Sequence, residues 1–314
     1  RTSEAGAVRL AASGRYRAVI CGIDGRLALP GAYLAARARR IPFVLWATIW
    51  AHPTTAFHRL SRAPTRHLYR HADAVATYGP HVSHHVAGER GHAEGIAVAP
   101  QAVDVDHYGA PVPPAARAAW RERIGVADGA PLVLFAGRLV PEKGIATLVA
   151  AWRAAALEGS GARLALAGDG PLRATVERDL PDAAALGRVE PADLPALYAA
   201  ADLLVLPSVR TASFLEPWGL VCNEAMLQRT PVLASDAVGA LAGGLVRDGR
   251  NGRSVPAGDA AALAAALGEL ASDGELRARL GEAARADAAA YTPAAWAAGM
   301  GSALALAGAA RAPA

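Results

Sequence analysis

Of the 32 lysine and arginine side chains in this 314-residue chain, only one, Lys143, is a lysine. Cysteine is nearly as scarce. Cys21 and Cys222 lie far apart in apolar runs and read as buried free thiols, which suits a reducing cytoplasm rather than a disulfide framework. Aromatic residues are sparse and alanine is abundant, so Ala-rich helices and a finely grained core are expected. No apolar stretch reaches the roughly 18 residues of a membrane span. The start, RTSEAGAVRL, has neither a Met nor a signal-peptide pattern, and reads as a processed or partial chain. Neither GxGxxG nor GxxxxGK[ST] occurs, which argues against dehydrogenase and NTPase chemistry. The net charge of +4 is small and its arginines are spread along the chain. A nucleic-acid groove is therefore not indicated; attraction to nucleotide phosphates, or peripheral contact with an anionic membrane, fits this charge.

What is present is a repeating alternation of short apolar runs and helical patterns. In the first half, Tyr16–Cys21, Ile41–Trp46, Ala74–Thr77 and Ile96–Ala99 read as strands, with a helix over Leu29–Arg40. A proline-rich segment around 111–130, with a helical pattern near Ala115–Arg123, reads as a linker. In the second half Leu132–Ala136, Arg163–Ala167, Leu203–Leu206 and Val232–Ala234 read as strands. Helices are expected over Ile145–Leu157, Pro171–Leu180, Asp193–Ala201, Leu220–Arg229 and Ala260–Ala271. Strands that are apolar on both faces and alternate with helices imply an α/β chain with parallel sheets covered on both sides. Such sheets bind ligands at the carboxyl ends of their strands.

The residues that follow the strands are therefore the candidates. After LVLFA come Gly137, Arg138, Glu142, Lys143 and Gly144, and then a helix. Two cations between a strand end and a helix start can converge on a diphosphate together with the helix's unpaired amides. An exposed loop with solvated charges is the competing reading. The use of the sole lysine here favours a compact point charge over the planar arginine fork. After LLVL, Pro217 is placed to start a helix, with Glu216 just before it and Glu224 about two turns inside. At 1.5 Å rise per residue, these acids are separated by roughly 10 Å along the chain, about the span from a sugar to a ribose across a diphosphate. Two unrelated surface glutamates would show the same spacing, so the neighbouring residues decide.

Those neighbours carry a resemblance. EPWGLVCNEA followed by PVLASD resembles the signature of the retaining glycosyltransferases of family four, in the GT-B class. FAGRLVPEKGIATLV, RLALAGDGPLR, LGRVEPADLPALYAAADLLVLPS and VRDGRNGRSVPAGD are similar to further segments of that family, in order, from about residue 131 to 260. The first half is similar more loosely, through IPFVLWAT, HADAVATYGPHVSHHV and IAVAPQAVDVDHYG.

The resemblance implies a GT-B fold of two Rossmann-like, doubly wound parallel-sheet domains facing a cleft. The expected boundaries are a partial N-terminal domain over 1–110, a linker over 111–130, a nucleotide-sugar-binding domain over 131–290, and a helix over 291–314 crossing back to the first domain. Against the family, the first strand-helix units and their Gly-rich loop are expected to be absent.

The resemblance also implies roles. Arg138 and Lys143 would bind the donor diphosphate, with Gly137 in the same loop, and Glu216 would hold hydroxyls of the transferred sugar. Glu224 would hold the ribose. Trp218, Gly219 and Leu220 would present backbone amides, and Arg188 and Val189 would flank the base. Implied too are retention of configuration, a UDP- or GDP-linked hexose donor, no cofactor, no required metal, and an acceptor that is lipid-linked, a glycan or a small molecule. The cytoplasm, or the inner face of its membrane, is the expected location. The loop VGALAGGLV departs from the family's Gly-Gly-Pro-Glu pattern, so Val238–Val246 is expected to bind differently.

All nine histidines lie between His52 and His107. His81, His84 and His85 lack acidic or cysteine partners at metal-ligand spacing and read as the solvated face of a helix. By the resemblance His52, in the loop after IPFVLW, contacts the donor sugar; a structural role for it is the alternative, and His58 is the next candidate. Two other functions compete with sugar transfer: a non-catalytic nucleotide-binding fragment or accessory subunit, and a nucleotide-sugar epimerase.

Overall fold

The computed structural model describes residues 3–310 except positions 24, 26 and 156. It divides into two compact units, one of residues 1–101 with 293–314 and one of residues 102–292.

The first unit is a four-stranded parallel sheet in the order β1 (Val19–Gly22), β2 (Phe43–Ala47), β3 (Ala74–Thr77), β4 (Ile96–Val98). Strand residues alternate between faces. Phe43, Leu45, Ala47 and Val75 join one core with Leu29, Ala32, Ala36, Leu68, Tyr69, Val82 and Val86. These come from the crossover helices Ala28–Arg39, Ala56–His71 and Pro80–Arg90. A run of right-handed crossovers in strand order places all three helices on that one face. On the other face Val44, Ala74 and Ala76 meet Met300, Ala303 and Ala307 of the helix Pro293–Ala309. That helix is rich in alanine and glycine, which allows close approach. A Cβ on Gly299 would stand 2.3 Å from the Val98 carbonyl oxygen. Trp296 fills the remaining space against Trp46, ring centroids 5.8 Å apart.

The second unit is a six-stranded sheet in the order β10–β9–β8–β5–β6–β7, parallel throughout. Its strands are β5 (Leu132–Ala136), β6 (Arg163–Ala167), β7 (Ala184–Gly187), β8 (Leu203–Leu206), β9 (Val232–Ser235) and β10 (Gly252–Val255). β5, β8 and β9 are buried along their whole length. That is why they read from sequence as unbroken apolar runs. The chain builds outward from β5 to β7, then returns across β5 and builds the other way from β8 to β10. The direction therefore reverses between β5 and β8, the kind of position at which open α/β sheets hold ligands.

Several sequence expectations are corrected. β7 (AALG) and β10 (GRSV) were not expected, because one is small-residue and the other half polar. The helices Glu4–Ala12, Ala56–His71 and Gly274–Ala288 were also not expected. The helix expected over Ile145–Leu157 ends at Ala154; Leu157–Ser160 is a separate 3₁₀ turn, and position 156 lies outside the described residues. Pro217 does not start a helix. The helical turn begins at Val221, so Glu224 lies in its first turn rather than two turns inside. The histidine triplet is not a solvated face: only His84 is exposed. His81 packs edge-on against Trp50, and His85 against the buried Tyr69. Burial lowers the pKa of His85.

Candidate functional site

The loop after β5 and the loop after β6 are held together beyond the ends of their strands. Gly137 N–H donates to the Ala167 carbonyl at 2.9 Å, and Leu139 N–H to the Asp169 carbonyl at 2.9 Å. The approach is so close that a Cβ on Gly168 would stand 1.8 Å from the Gly137 oxygen. The three residues Pro141–Lys143 then form a 3₁₀ turn. Gly144 follows in the left-handed conformation (φ 70°) and opens the helix Ile145–Ala154, which no side chain caps. A Cβ at Gly144 would lie 1.8 Å from the Pro207 carbonyl oxygen, just past β8. Glycine is required there twice over, for its φ and for its size. The contact brings the β5 loop against the β8 loop at the reversal point of the sheet.

That contact delivers Lys143 to Glu216. The Lys143 ammonium pairs with Glu216 Oε2, and the two side chains are 15% and 8% exposed. Ser208, fully buried, donates from Oγ to the same oxygen at 3.1 Å. Its own carbonyl accepts from Ser235 Oγ of β9. Lys143 Nζ also stands 5.8 Å from the centroid of the Phe214 ring. The Glu216 backbone is fixed from the other side, because Gly239 N–H donates to its carbonyl at 3.1 Å. A Cβ on Gly239 would lie 2.0 Å from the Pro217 oxygen, so the loop Val238–Val246 packs directly on the segment that carries Glu216.

The remaining candidates surround a cavity of about 430 Å³ at the carboxyl ends of β5, β6 and β7. Gly137 and Arg138 line it from β5, Gly168 and Asp169 from β6, Arg188 and Val189 from β7, and Tyr198 and Glu224 complete the lining. Arg138 is 68% exposed, and its guanidinium stands 3.6 Å from Glu142. Tyr198, fully buried, donates from Oη to Glu224 Oε2 at 2.6 Å. Burial pushes the Glu224 carboxyl above its ordinary value of 4.5; the hydrogen bonds from Tyr198 and Tyr108 and the neighbouring His107 oppose the shift. The cavity thus holds an exposed guanidinium and a mostly buried carboxylate in one lining.

Trp218 is 2% exposed and acts as a core anchor. Its Nε1 donates to the buried Asn223 Oδ1 at 2.7 Å, and its ring packs on Tyr291. Gly219 adopts a φ of 92°, and Leu220 is exposed. Cys222, fully buried, has a thiol pKa raised by that burial. Lys143 and Glu216 therefore meet at the reversal point, while Gly137, Arg138, Arg188, Val189 and Glu224 share the cavity beside it. His52 belongs to the other unit. Its Nε2 donates to the His58 carbonyl at 2.8 Å, and His58 in turn contacts Thr55 Oγ1 at 2.7 Å.

Sequence reasoning missed Tyr198, Ser208 and Asn223. All three are polar side chains with no exposed surface. For Tyr198 the signal that could have found it is position, in the otherwise apolar helix Leu194–Ala200, where a polar group needs a partner; Ser208 and Asn223 sit beside charged or loop residues and carry no such signal. Among the described residues no three of His, Cys, Asp or Glu gather to hold a metal ion, and no helix is long and apolar enough to cross a membrane.

The raised carboxyl gives a testable consequence. A carboxyl with an elevated folded pKa favours the fold below its ordinary value, and that benefit is lost as pH rises through the raised value. At pH 7 the charged, mostly buried Glu224 is therefore a cost. Glu224→Gln, which can still accept from Tyr198, is expected to raise Tm at pH 7 by a few degrees, about 1 kcal/mol. The gain should disappear at a pH near 4. Thermal melts at the two pH values check this, and a lower Tm for the variant at pH 7 would refute it.

Comparison with known proteins gives the following. The model of the family described as Glycosyl transferases group 1 matches residues 116–287. An alpha-D-kanosaminyltransferase of Streptomyces kanamyceticus is 31% identical over 270 residues, covering 80% of this chain and 66% of that protein. A D-inositol 3-phosphate glycosyltransferase of Xylanimonas cellulosilytica is 39% identical over 203 residues, covering 61% and 46%. The chain thus spans 66% and 46% of the lengths of these two relatives. Among solved structures, Anabaena HepE in complex with UDP and glucose superposes with a TM-score of 0.78 at 24% identity, over 96% of this chain and 81% of that one. Together with the two parallel-sheet units, that likeness makes the fold α/β of the GT-B type.

Proposed function

We propose that this chain, which belongs to the glycosyl transferases group 1 family, moves a hexose from a nucleoside-diphosphate sugar to an acceptor hydroxyl with retention of configuration. The observation that carries the reading is the meeting of Lys143 and Glu216 at the sheet's reversal point, beside a cavity lined by Arg138 and Glu224. In this reading the base and ribose enter the cavity. Arg188 and Val189 flank the base, and Glu224, aimed by Tyr198, accepts from the ribose hydroxyls.

The diphosphate then lies along Gly137 and the start of the helix Ile145–Ala154, where backbone amides favour anions. Lys143 and Arg138 take up the negative charge that builds on the leaving diphosphate, and charge in a fixed, partly dehydrated site is worth more than in water. A diphosphate competes with Glu216 for the Lys143 ammonium, which frees the carboxylate to accept from sugar hydroxyls. The segment Trp218–Leu220 supplies further backbone amides on the donor's sugar side. His52 is the candidate from the first unit for the same sugar. UDP and GDP donors use the same phosphate and ribose contacts, and HepE is a family-fold protein that holds UDP. A UDP- or GDP-linked hexose is the donor this supports; the acceptor class stays open among lipid-linked, glycan and small-molecule hydroxyls.

Calorimetric titration of the chain with UDP, GDP and ADP tests the reading. One nucleotide is expected to bind at least about tenfold more tightly than the other two, a difference of about 1.4 kcal/mol. A folded chain that binds none of the three would overturn it.

A further inference from the structure

The helix Val221–Leu227 ends in a Schellman turn. Thr230 N–H donates to the Ala225 carbonyl at 3.1 Å, and Arg229 N–H to that of Met226 at 3.0 Å. Such a turn needs a left-handed residue at position 229, where glycine is the ordinary choice. The chain places an arginine there at φ 61°, one of two non-glycine residues with positive φ among those described. The turn is also clamped from outside. A Cβ on Gly281, of the helix Gly274–Ala288, would stand 2.1 Å from the Arg229 carbonyl oxygen. The backbone disfavours arginine at this position, which points to a use for its side chain.

Arg229 lines a groove of about 630 Å³ at the amino ends of β8 and β9, beside Ala201, Asp202 and Pro231. The cavity that holds Arg138 and Glu224 lies at the carboxyl ends of the same sheet, so the two are separate. Three further arginines line the groove: Arg117 of the helix Pro114–Ile124, and Arg277 and Arg285 of Gly274–Ala288. Backbone carbonyls set two of them in place. Arg285 donates to Leu227 and Gly109, and Arg277 donates through Nη1 to Leu270 and Ala271. Nε and Nη2 of Arg277 have no partner among the described residues. A guanidinium already fixed loses little rotamer freedom when it binds.

The two carboxylates of the lining are both engaged. Asp202 Oδ2 accepts from Arg121 and from Leu132 N–H, each at 2.8 Å, while Arg117 stands 4.0 Å from Oδ1. Glu282 pairs with Arg229 at 2.7 Å, with side chains 68% and 53% exposed. Asp273 and Glu275 flank Gly274 but do not line the groove, and Asp273 accepts from Leu276 N–H as the helix cap. The lining thus carries four positive and two negative side chains. Its size is that of a small-molecule site, roughly 300–1,000 Å³. Each guanidinium fork can hold two oxygens of one phosphate, so a concave wall with four forks suits several oxyanions at once.

We propose that this groove binds a small anion bearing two or more phosphate groups, inorganic or organic, held by Arg117, Arg229, Arg277 and Arg285. It lies at the opposite end of the sheet from the candidate donor site and does not depend on the transfer reading. Calorimetric titration with inorganic pyrophosphate, fructose 1,6-bisphosphate and citrate tests it, at roughly 0.15 M salt, which screens loosely held surface charge. The parent chain and Lys143→Ala/Glu216→Gln are compared, because the latter disables the other phosphate-binding candidate. One of the two phosphate probes is expected to bind that double variant at one site per chain, and the tighter of them identifies the source. Added to it, Arg117→Gln and Arg229→Gly should each weaken this binding about fivefold and together about twentyfold, as fits half-exposed charge-assisted contacts. Glycine adopts the φ of position 229 freely, so Arg229→Gly should melt at or above the temperature of its parent. Arg279→Gln, an exposed position on the same helix outside the groove, should change nothing. Melting curves confirm that each variant is folded. Binding of neither phosphate probe to Lys143→Ala/Glu216→Gln, binding that Arg117→Gln/Arg229→Gly leaves intact, or citrate bound as tightly as the phosphates would each overturn the proposal.

Discussion

Lys143→Ala is expected to weaken nucleoside-diphosphate binding about thirty- to a hundredfold, roughly 2–3 kcal/mol, the value of a charge-assisted hydrogen bond in a partly buried site. It is also expected to destabilise the protein. The ammonium it removes is the ionic partner of Glu216, whose side chain is 8% exposed, and a buried charge left without its partner costs on the order of 3 kcal/mol. Ser208 remains beside the Glu216 carboxylate as a neutral donor. The two consequences separate in the double variant Lys143→Ala/Glu216→Gln. Neutralising the stranded acid should restore most of the lost Tm, while nucleotide affinity stays low. Calorimetry and thermal melts on the three variants read both. If affinity recovers together with Tm, Lys143 acts through the fold and the diphosphate role fails.

This coupling of site and stability is the part of the molecule that could not be read from sequence. The apolar strands of the second unit were legible because β5, β8 and β9 are buried on both faces, which leaves an unbroken hydrophobic run as their signature. The edge elements lacked that signature. β7 is built of Ala-Ala-Leu-Gly, and β10 has the polar Arg253 and Ser254 at its centre, so neither pattern separates from a turn. The helix Ala56–His71 contains Pro64 and four arginine or histidine residues in its last six, and it buries Leu68 and Tyr69 while Phe57 and Leu60 face solvent. A reading that equates apolar periodicity with burial passes over it.

The positions of Lys143 and Glu216 after their strands were legible, since loops at the carboxyl ends of parallel strands hold ligands. Their pairing was not. It depends on β5 and β8 being sheet neighbours and on Gly144 allowing the two loops to touch, facts of topology and of close backbone approach. Pro217 misled for a related reason. Its fixed φ suits a helix start, but Ala240 N–H donates to the Trp218 carbonyl at 2.7 Å and Trp218 is buried, which keeps the segment non-helical until Leu220.

Glu216→Gln tests the chemistry rather than the binding. The amide keeps the shape of the side chain and can still accept from Ser208, so the fold and the position of the loop should survive. What it loses is the negative charge that would accept from sugar hydroxyls as positive charge develops on the transferred sugar. Interactions that strengthen only in the transition state lower kcat when removed and leave ground-state binding nearly unchanged. The expected result is a fall in transfer of about a hundredfold or more, similar to the loss of one preorganised electrostatic contact. The affinity for free nucleoside diphosphate should stay the same or rise, because Lys143 no longer has a carboxylate competing with the phosphate for its ammonium. That second effect distinguishes this arrangement from a generic donor contact. A Glu216 that merely helped to hold the nucleotide would lose both quantities together, and initial-rate kinetics set beside calorimetry on the same variant decide between the two.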